Sequence, residues 1–550
     1  MTPTSRAATA VARDLKRTAR ETFGWKRLRP GQLEAMTAVM DGQDVLAVMP
    51  TGSGKSAVYQ VPALLLDGPT VVVSPLISLQ RDQVASLLER GEAAAAVQAN
   101  SSLSEREQDA AFDALRAGQA EFLFLAPEQL SKPEVLDAVA AARPSLFVVD
   151  EAHCICSWGH DFRPDYLRLH TAIERVGRPR VLALTATASP PVRDEIVRRL
   201  RLEEPQVVVS GFDRPNLSLE VQSFREDEQR REAVVLRAMG EAKPGLVYTA
   251  TRKSAEQYAV ALGELGIDAA AYHAGMRAAD REDVHDRFTA GGLDVVVATT
   301  AFGMGIDKAD VRFVLHAEVA DSLDSYYQEI GRAGRDGEPA VAALYYRPED
   351  LGLRKFFAGG SADEPGLRKV AALVQYADGP VEPTALAEEA EVAPTRLVSL
   401  VNLLEQAGAV EVQGDGSVAA PQDAPGPKEA ARAAADVADA HRKVDQSRVE
   451  MMRAYAETTG CRRQLLLAYF GETLDEPCGN CDTCAAGTAE EQADAEDSPY
   501  ALQSFVSHAS WGRGVVMRYE GDRIVVLFDE VGYRTLSLDA VAARGLLESA

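Results

Sequence analysis

Short apolar runs alternate with helical stretches through about the first 350 residues, and this alternation restricts the fold more than any other feature of the sequence. Each run is four or five residues long, and the eight runs start at Val45, Thr70, Glu121, Leu146, Val181, Gly245, Asp294 and Arg312. Short buried strands that alternate with helices are typical of a mostly parallel sheet covered by helices. The sequence therefore predicts an α/β architecture for this region.

The stretch 211–215, which ends in a proline, divides these runs into two comparable sets. We predict two stacked α/β lobes, 1–210 and 211–350, with a cleft between them. The chain has 550 residues, whereas one domain usually has roughly 100–200. Further domains are therefore expected beyond the two lobes.

The periodicity of the sequence changes after residue 350. Apolar helical segments at 367–376, 384–390 and 394–407 are followed by a short hairpin with a glycine turn at 414–416. Three helices and a small hairpin are typical of a winged-helix module. We assign this module, with the linker that follows it, to 351–425.

The last part of the chain contains three further segments. A long helical stretch, 428–470, leads into a cysteine cluster, and we assign 426–488 to a helical subdomain. Residues 489–500 are predicted to be an acidic linker, since they include five acids and no base between 490 and 497. The segment 501–550 alternates with period two and has glycine turns, which predicts a small β-barrel of about five strands.

The charge of the chain restricts its partners. The formal net charge is −25, which argues against uniform binding of a polyanion. However, 47 of the 58 basic residues are arginine, which suits forked contacts with phosphate, so a local basic groove is compatible with the composition. The sequence shows no run of about 18 apolar residues and no secretory leader after Met1, so we expect a cytoplasmic protein without a membrane partner.

A glycine-rich segment at 49–56 follows a predicted strand and begins a helix. In that context backbone N–H groups cradle phosphates. We predict that Lys55 reaches the β- and γ-phosphates of a nucleotide and that Ser56 holds Mg²⁺. A chance glycine turn is the alternative, because Met49 stands where such loops usually have a glycine. The predicted nucleotide-binding residues of the loop are Thr51, Gly52, Ser53, Gly54, Lys55 and Ser56.

An acidic pair follows the predicted strand at 146–149, at the sheet edge where ligands bind. Asp150 is predicted to fix Mg²⁺, and Glu151 is predicted to orient and deprotonate the attacking water. An Asp-Glu pair alone is usually only a turn, but together with a phosphate loop it indicates a nucleotide-hydrolysing site.

Two arginines in the second lobe are the predicted cationic partners of this site. Arg332 and Arg335 are three residues apart, which places them on one face if the segment is helical. We predict that Arg335 is an arginine finger and that Arg332 makes a second phosphate contact across the cleft. The alternative is a solvated basic turn.

Four of the six cysteines are clustered in the sequence, at Cys461, Cys478, Cys481 and Cys484. Four thiolates at such spacing suit one tetrahedral Zn²⁺ of the structural type, although free buried thiols are an alternative. Few cysteines and a metal role are typical of a reducing compartment. The remaining two, Cys154 and Cys156, are expected to be inert.

Taken together, these residues resemble a superfamily 2 helicase and, more specifically, the RecQ family. The most specific segments are 23–32, 150–166 and 301–308. Residues 185–187 and 272–275 add to the resemblance, which spans about 20–350 and resumes at about 445–485. It implies that the two lobes are RecA-like.

The resemblance also implies roles for further residues. Gln32 would read the edge of adenine, with Trp25 and Arg29 sandwiching its ring. The segment 158–166 matches the family's aromatic-rich loop, which couples DNA binding to hydrolysis. Its predicted DNA-coupling residues are Trp158, His160, Phe162 and Arg163, although a core position for the aromatic ones is the alternative.

Two departures from the family pattern are evident. The winged helix of the family normally follows the zinc module, whereas here a winged-helix-like segment precedes it. The chain ends instead in a segment that resembles the Tudor-like barrel of UvrD-type helicases, a module that contacts RNA polymerase in that family. RNA polymerase or another protein is therefore one possible partner of 501–550, and a structural cap is the alternative.

The resemblance implies an ATP-dependent 3′-5′ DNA helicase that uses ATP, Mg²⁺ and Zn²⁺. Such an enzyme would move along single-stranded DNA and separate forked duplexes in repair or recombination. One alternative is a DNA-stimulated ATPase that translocates without strong unwinding, because the strand-splitting wing is displaced. Another is a transcription-linked scaffold that binds DNA and polymerase and is switched by ATP.

Overall fold

The computed structural model describes ten ranges of the chain, which are 3–91, 94–100, 103–156, 163–303, 308–352, 362–413, 416–489, 499–501, 504–528 and 531–549. No helix within these ranges has the length and apolar character needed to cross a membrane.

The first lobe is a seven-stranded parallel sheet with helices on both faces. Its strands are β1 (Val45–Val48), β2 (Thr70–Val73), β3 (Ala96–Ala99), β4 (Phe122–Leu125), β5 (Leu146–Val149), β6 (Arg180–Thr185) and β7 (Gln206–Val209). Its helices are α1 (Pro3–Glu21), α2 (Gln32–Met40), α3 (Ala57–Ala63), α4 (Ile77–Leu88), α5 (Glu105–Arg116), α6 (Pro133–Ala141), α7 (Leu169–Arg175) and α8 (Pro190–Leu200). The strand order is β3-β4-β2-β5-β6-β1-β7.

The second lobe is a six-stranded parallel sheet. Its strands are β8 (Leu217–Ser223), β9 (Gly245–Tyr248), β10 (Ala269–Tyr272), β11 (Val295–Ala298), β12 (Phe313–His316) and β13 (Ala340–Tyr346). Its helices are α9 (Asp227–Gly240), α10 (Arg252–Glu264), α11 (Ala278–Thr289) and α12 (Leu323–Ile330). The strand order is β10-β11-β9-β12-β13-β8.

All eight predicted apolar runs form strands, which confirms the α/β prediction. The strands that the sequence analysis missed are β3, β7, β8, β10 and β13. Four of these five are the edges of the two sheets. Edge strands lack one neighbouring strand, so they need no continuous apolar run, and β10 accordingly has only half-buried residues.

The segment after the second lobe forms a small module with its own apolar core. It consists of α13 (Glu364–Gln375), α14 (Pro383–Ala390), α15 (Pro394–Gln406) and the hairpin of β14 (Glu411–Val412) with β15 (Val418–Ala419). These elements follow the predicted helices and hairpin closely. We call them, with the chain that joins them over 362–425, the acidic module, because this segment contains eleven acidic and three basic residues.

The helical stretch predicted over 428–470 is divided into two helices. The first is α16 (Pro427–Glu457), and the second is α17 (Arg462–Tyr469). The chain is extended at Thr458, where α16 ends, and Cys461 precedes the first turn of α17. Periodicity alone did not reveal this break, because apolar residues continue on both sides of it. The short helix α18 (Asp482–Ala485) follows among the last cysteines.

The chain ends in a five-stranded antiparallel sheet, which we call the C-terminal sheet. Its elements are β16 (Phe505–His508), β17 (Gly512–Glu520), β18 (Arg523–Phe528), β19 (Gly532–Ser537), α19 (Leu538–Arg544) and β20 (Glu548–Ser549). The strand order is β19-β18-β17-β16-β20. β19 packs closely on α16, because a Cβ added at Gly532 would lie 2.2 Å from Ser447 Oγ and 3.1 Å from Val444 Cα.

We expect Gly532→Ala to lower the free energy of unfolding by about 2–5 kcal/mol. The left-handed φ of +71° costs an alanine about 1–2 kcal/mol, and overpacking against α16 adds about 1–3 kcal/mol. Gly521→Ala is the matched control in the same sheet, because Gly521 has a φ of +56° and nothing within 4 Å of an added Cβ. Urea denaturation followed by tryptophan fluorescence measures both losses. Equal losses in the two variants would show that the sheet does not pack on α16 in this way.

Candidate functional site

The predicted phosphate loop lies between β1 and α3, at the carboxyl edge of the first sheet. β1 lies between β6 and β7, and its last residue, Val48, pairs with Thr185 of β6. The loops that follow β1, β5 and β6 therefore meet at one edge of the sheet. Gly52 and Gly54 have φ values of +80° and +76°, a conformation that glycine adopts without steric cost.

The acidic pair lies beside this loop, directly after β5. Asp150 is only 6% exposed, and Glu151 follows it with a φ of +49°. Burial raises the pKa of Asp150 to about 7, Glu151 raises it as well, and the ammonium of Lys55 lowers it. The structure thus brings Lys55 and the two acids together, and their roles in hydrolysis stay predictions.

His153 connects Glu151 to the end of β6. Its Nδ1 lies 3.4 Å from Glu151 Oε2 and 2.8 Å from Thr185 Oγ1. The hydroxyl of Thr185 in turn accepts a hydrogen bond from the backbone N–H of Thr187 at 3.2 Å. Glu151 Oε2 is buried and accepts no hydrogen bond within the described ranges. His153 and Thr185 were not predicted as site residues, although both lie in segments that carried the family resemblance.

The residues expected around adenine contact the phosphate loop directly. Arg29 donates a side-chain hydrogen bond to the carbonyl of Gly52. The Gln32 amide nitrogen donates to the carbonyls of Ser53 at 3.0 Å and Gly54 at 2.9 Å. The amide oxygen of Gln32 accepts a hydrogen bond from the Arg29 backbone N–H at 2.8 Å. Both residues are therefore next to the loop, and their contact with adenine stays a prediction.

Trp25, the other residue expected to sandwich adenine, is partly buried and stacks on Phe23. Their ring centroids are 4.6 Å apart with an interplanar angle of 14°. Phe23 is in the core of the first lobe, so the indole is held in place by a ring that is itself fixed. Its contact with adenine also stays a prediction.

The two predicted arginines lie in the turn after α12 rather than on a helical face, because α12 ends at Ile330. Arg335 crosses the cleft, since a Cβ added at Gly52 would lie 3.2 Å from its Cγ. Arg332 is instead only 3% exposed within the second lobe, where it interacts with Tyr248. The geometry thus suits Arg335 as a group that faces the phosphates, whereas the phosphate contact of Arg332 stays a prediction.

A cavity of about 360 Å³ lies between the phosphate loop of the first lobe and the turn after α12 in the second lobe. Arg29, Thr51, Gly52 and Ser53 line it from the first lobe, and Arg214 and Arg335 line it from the second. A phosphate chain is an anion that such arginines and loop N–H groups bind well. The cavity therefore has the chemistry of a nucleotide site that needs both lobes.

The predicted aromatic-rich loop is described only at its end. Trp158, His160 and Phe162 lie outside the described residues. Arg163 is described, and its guanidinium donates to the carbonyl of Pro75 at 2.8 Å. Pro75 lies two residues past β2, so Arg163 connects the end of this loop to the same edge of the sheet.

The four clustered cysteines meet in space. Their sulfur atoms all lie within 4.8 Å of one another. With Zn–S bonds of about 2.3 Å, a tetrahedral site needs sulfurs about 3.8 Å apart, so small side-chain adjustments bring this donor set onto one Zn²⁺. The backbone N–H of Cys478 donates to Cys461 Sγ at 3.3 Å, and that of Asn480 donates to Cys478 Sγ at 3.4 Å. Cys154 and Cys156 are buried elsewhere, in the first lobe.

This cluster is attached to the second lobe. Cys481 forms an isolated parallel β-bridge with Leu219 of β8, and the Asn480 side chain donates to the carbonyl of Pro215 at 3.0 Å. Arg462 pairs with Asp482, whose other oxygen accepts from the backbone N–H of Val221 at 2.9 Å. The metal site therefore fixes a surface that packs on β8 and on the chain between the lobes.

We expect Cys481→Ser to lose bound zinc and to lower the thermal stability, because metal binding contributes folding free energy in such modules. Cys156→Ala is the matched control, since Cys156 is equally buried but lies outside the cluster. Metal analysis should find one zinc per chain in the wild type and in this control. Freshly purified wild-type protein without zinc would contradict the site.

Comparisons with known proteins agree with this geometry. Three family profiles match, which are the DEAD/DEAH box helicase over residues 29–196, the helicase conserved C-terminal domain over 231–337 and the RecQ zinc-binding profile over 427–485. Among solved structures, the helicase MrfA bound to DNA aligns with a TM-score of 0.53 at 15% identity, covering 76% of this chain and 63% of that chain. The Mycobacterium smegmatis helicase Lhr, bound to ssDNA and AMP-PNP, aligns with a TM-score of 0.51 at 18% identity. This alignment covers 91% of this chain and 68% of the Lhr chain. These two likenesses concern the fold.

The relatives found by sequence comparison have higher identity to this chain than these two structures. The ATP-dependent DNA helicase RecQ of Haemophilus influenzae is 36% identical over 84% of this chain and 62% of its own length. The probable ATP-dependent DNA helicase RecS of Bacillus subtilis is 39% identical over 62% of this chain and 68% of its own. The chain spans about 60% of the length of the RecQ relatives that it matches. With the phosphate loop, the acidic pair and the four-cysteine cluster all in place, the chain belongs to the RecQ family of helicases.

Proposed function

We propose that the chain is an ATP-dependent DNA helicase of the RecQ type. The observation that carries this proposal is the position of Arg335, which crosses from the second lobe to lie against Gly52 of the phosphate loop. The loop, the acidic pair and this arginine then form a single site that is complete only when the two lobes are together. Nucleotide hydrolysis at such a site depends on the relative position of the two lobes. A motor enzyme requires this coupling.

The residues of the site have distinct roles in the proposed hydrolysis. Lys55 binds the β- and γ-phosphates, and Ser56 and Asp150 are the side chains that would hold Mg²⁺. When bound, Mg²⁺ neutralises phosphate charge and orients the phosphate oxygens. Glu151 orients the attacking water and accepts its proton, while the ring of His153 lies beside the carboxylate of Glu151. Arg335 stabilises the charge that develops on the γ-phosphate.

The DNA partners in this proposal are single strands and forked duplexes, along which the protein moves in the 3′ to 5′ direction. Arg163 links the end of the aromatic-rich loop to Pro75, and the acids of the site follow the neighbouring strand β5. A DNA base bound by that loop can therefore affect the position of the catalytic acids through Arg163 and the chain after β2. Repair or recombination is the proposed setting, and the cytoplasm is the proposed location, since the four thiols need a reducing compartment.

A translocase without strong unwinding is the second candidate, and the acidic module favours it. Eleven acids against three bases disfavour phosphate binding by the module. Two of its three bases are also paired with acids, Lys369 with Glu391 at 2.7 Å and Arg396 with Asp363 at 3.2 Å. In addition, α15, the third helix of the module, packs against the 3-10 turn Pro164–Arg168 of the first lobe. The module is therefore poorly suited to split a duplex by gripping its phosphates.

A protein partner for the C-terminal sheet, such as RNA polymerase, is a further part of the proposal. One face of the sheet packs on α16 and the lobes, so only the remaining surface is open to such a partner. In the scaffold alternative the chain would bind DNA and polymerase, and ATP would act only as a switch. Sustained ATP turnover distinguishes the helicase from this switch.

We expect Glu151→Gln to bind ATP normally and to hydrolyse almost none, because the variant keeps the shape of the site but loses the base. Lys55→Ala should weaken both binding and turnover. Arg335→Ala should lower the turnover by about 10³–10⁵-fold, as loss of an arginine finger does. Binding of a fluorescent nucleotide and steady-state hydrolysis, with and without single-stranded DNA, measure these effects.

The matched control for Arg335 is Arg237→Ala. Arg237 is on α9 of the same lobe, where it pairs with Glu220 and Glu241 outside the cavity. Its variant should hydrolyse ATP within twofold of the wild-type rate. Normal turnover in Arg335→Ala would remove the arginine-finger role, and a wild type that shows no DNA-stimulated hydrolysis would contradict the proposed function.

The contribution of the acidic module to DNA binding is tested by reversing the charge of its two paired basic residues. We expect the double variant Lys369→Glu, Arg396→Glu to bind single-stranded DNA within about twofold of the wild type, since both bases are paired with acids of the same module. The slope of log affinity against log salt should also stay unchanged, because that slope counts the phosphates that are neutralised. Fluorescence anisotropy at several salt concentrations provides both values. A tenfold loss with a shallower slope would identify the module as a DNA anchor.

A further inference from the structure

The chain that joins the two lobes, residues 210–216, begins beside the strand that leads into the phosphate loop. We call it the interlobe segment. The backbone N–H of Ser210 donates to the carbonyl of Val48, the last residue of β1, at 3.0 Å. Ser210 also lies close to the chain before α2, because a Cβ added at Gly31 would be 3.0 Å from its Cβ. The interlobe segment therefore starts from a point that is fixed next to the nucleotide site.

Further along this segment, Arg214 contacts the main chain of the turn after α12. Its guanidinium donates to two carbonyls at 2.8 Å, those of Ala333 and Gly334. It also donates to the carbonyl of Gly331 at 3.3 Å. Arg335 is the residue that follows Gly334 in the chain. Arg214 therefore holds the main chain directly before the side chain that lies against the phosphate loop.

Asn216 contacts the same turn. Its amide nitrogen donates to the carbonyl of Gly334 at 2.8 Å and to that of Glu338 at 2.9 Å. Its amide oxygen accepts a hydrogen bond from Nε of Arg214 at 3.4 Å. Gly334 has a φ of +58°, and a Cβ added there would overlap the Asn216 amide nitrogen. The turn and the interlobe segment are thus packed together without room for a side chain at Gly334.

The hydrogen bonds of Arg214 indicate that it positions the turn and does not bind a phosphate. The side chain lines the cavity between the lobes. However, its four hydrogen bonds to the turn and to Asn216 use all but one of the N–H groups that a guanidinium offers. A guanidinium whose donors are occupied by main-chain carbonyls has little capacity left for phosphate oxygens.

The middle of the interlobe segment is held by the chain that follows α17. The backbone N–H of Phe212 donates to both carboxylate oxygens of Glu472 at 2.9 Å. The ring of Phe212 stacks on Phe470, with centroids 4.5 Å apart and an interplanar angle of 10°. From α12, the hydroxyl of Tyr327 donates to the carbonyl of Phe212 at 2.7 Å. The segment is therefore fixed two residues before Arg214.

We propose that Arg214 is a positioning residue of the ATPase, which holds the turn after α12 so that Arg335 faces the phosphate loop. This inference rests on the proposed function, in which Arg335 is the arginine finger. Asn216 supports the same turn. The interlobe segment thus does more than connect the lobes, because it sets the position of a catalytic group of the second lobe from a point attached to the first. Arg214 acts through Arg335 and touches no phosphate.

The first test is Arg214→Ala. We expect kcat for DNA-stimulated ATP hydrolysis to fall by about 10–100-fold, because a misplacement of about 1 Å can cost a reaction about 100-fold. KM for ATP should stay within about twofold, since the phosphate loop is untouched. Steady-state hydrolysis over a range of ATP concentrations gives both values. A large rise in KM with kcat unchanged would overturn the proposal, because Arg214 would then bind the nucleotide itself.

Asn216→Ala tests the same turn without changing any charge. We expect kcat to fall about three- to tenfold, the effect of losing a neutral hydrogen bond, with KM again unchanged. Normal kcat in this variant would overturn the proposal, because only the charge of Arg214 would then matter. Lys243→Ala is the matched control. Lys243 also donates to main-chain carbonyls of the second lobe, such as that of Glu241 at 2.7 Å, but it does not line the cavity. Its kcat should stay within about twofold of the wild type.

A double-mutant cycle with Arg335→Ala separates positioning from other roles. If Arg214 acts through Arg335, adding Arg214→Ala to Arg335→Ala should change the rate by less than about twofold. Single-turnover hydrolysis of radiolabelled ATP detects such slow rates. Multiplicative losses would overturn the proposal. A lowered melting temperature of Arg214→Ala with unchanged kcat would also overturn it, because the residue would then only stabilise the fold. A wild type without any DNA-stimulated hydrolysis would instead contradict the proposed function on which the inference rests.

Discussion

A buried ion pair between Asp324 and Arg448 holds the modules of this protein together. Both side chains are almost fully buried, and burial of an unpaired carboxylate would cost several kcal/mol. Asp324 belongs to the second lobe and Arg448 to α16, while Tyr469 donates to the same carboxylate from α17. Three elements distant in sequence therefore have to assemble together, because each satisfies a charge or a polar group that the others bury.

The zinc site and the proposed nucleotide site are held in place by some of the same structural elements. The cysteine cluster fixes α17 and the chain around Asn480 against β8 and the chain between the lobes. α17 then presents Tyr469 to Asp324, at the start of the helix that leads to Arg335. The four-cysteine cluster is in this way part of the support for the half of the proposed nucleotide site that carries Arg335.

The sequence alone predicted the interior of the fold better than its edges and its long-range contacts. Strands such as β1 and β5 are buried on every side, so their sequences are unbroken apolar runs. Edge strands such as β10 are only half-buried, so their sequences indicate a strand less clearly. The loop, the acids and the cysteines were predictable because their chemistry demands particular residue types at particular spacings. The role of His153 and the burial of Arg332 were not, since they depend on which distant side chains lie beside them.

The helix α16 has 31 residues, which corresponds to about 46 Å at 1.5 Å per residue. The buried alanines near its start pack in the core of the acidic module, and Arg448 and Tyr455 near its end pack on the second lobe. A rotation of the second lobe by ten degrees about the far end of this helix would displace the start of the helix by about 8 Å, given that length. The length of this helix would therefore turn a small change of angle at the second lobe into a displacement of several ångströms at the acidic module.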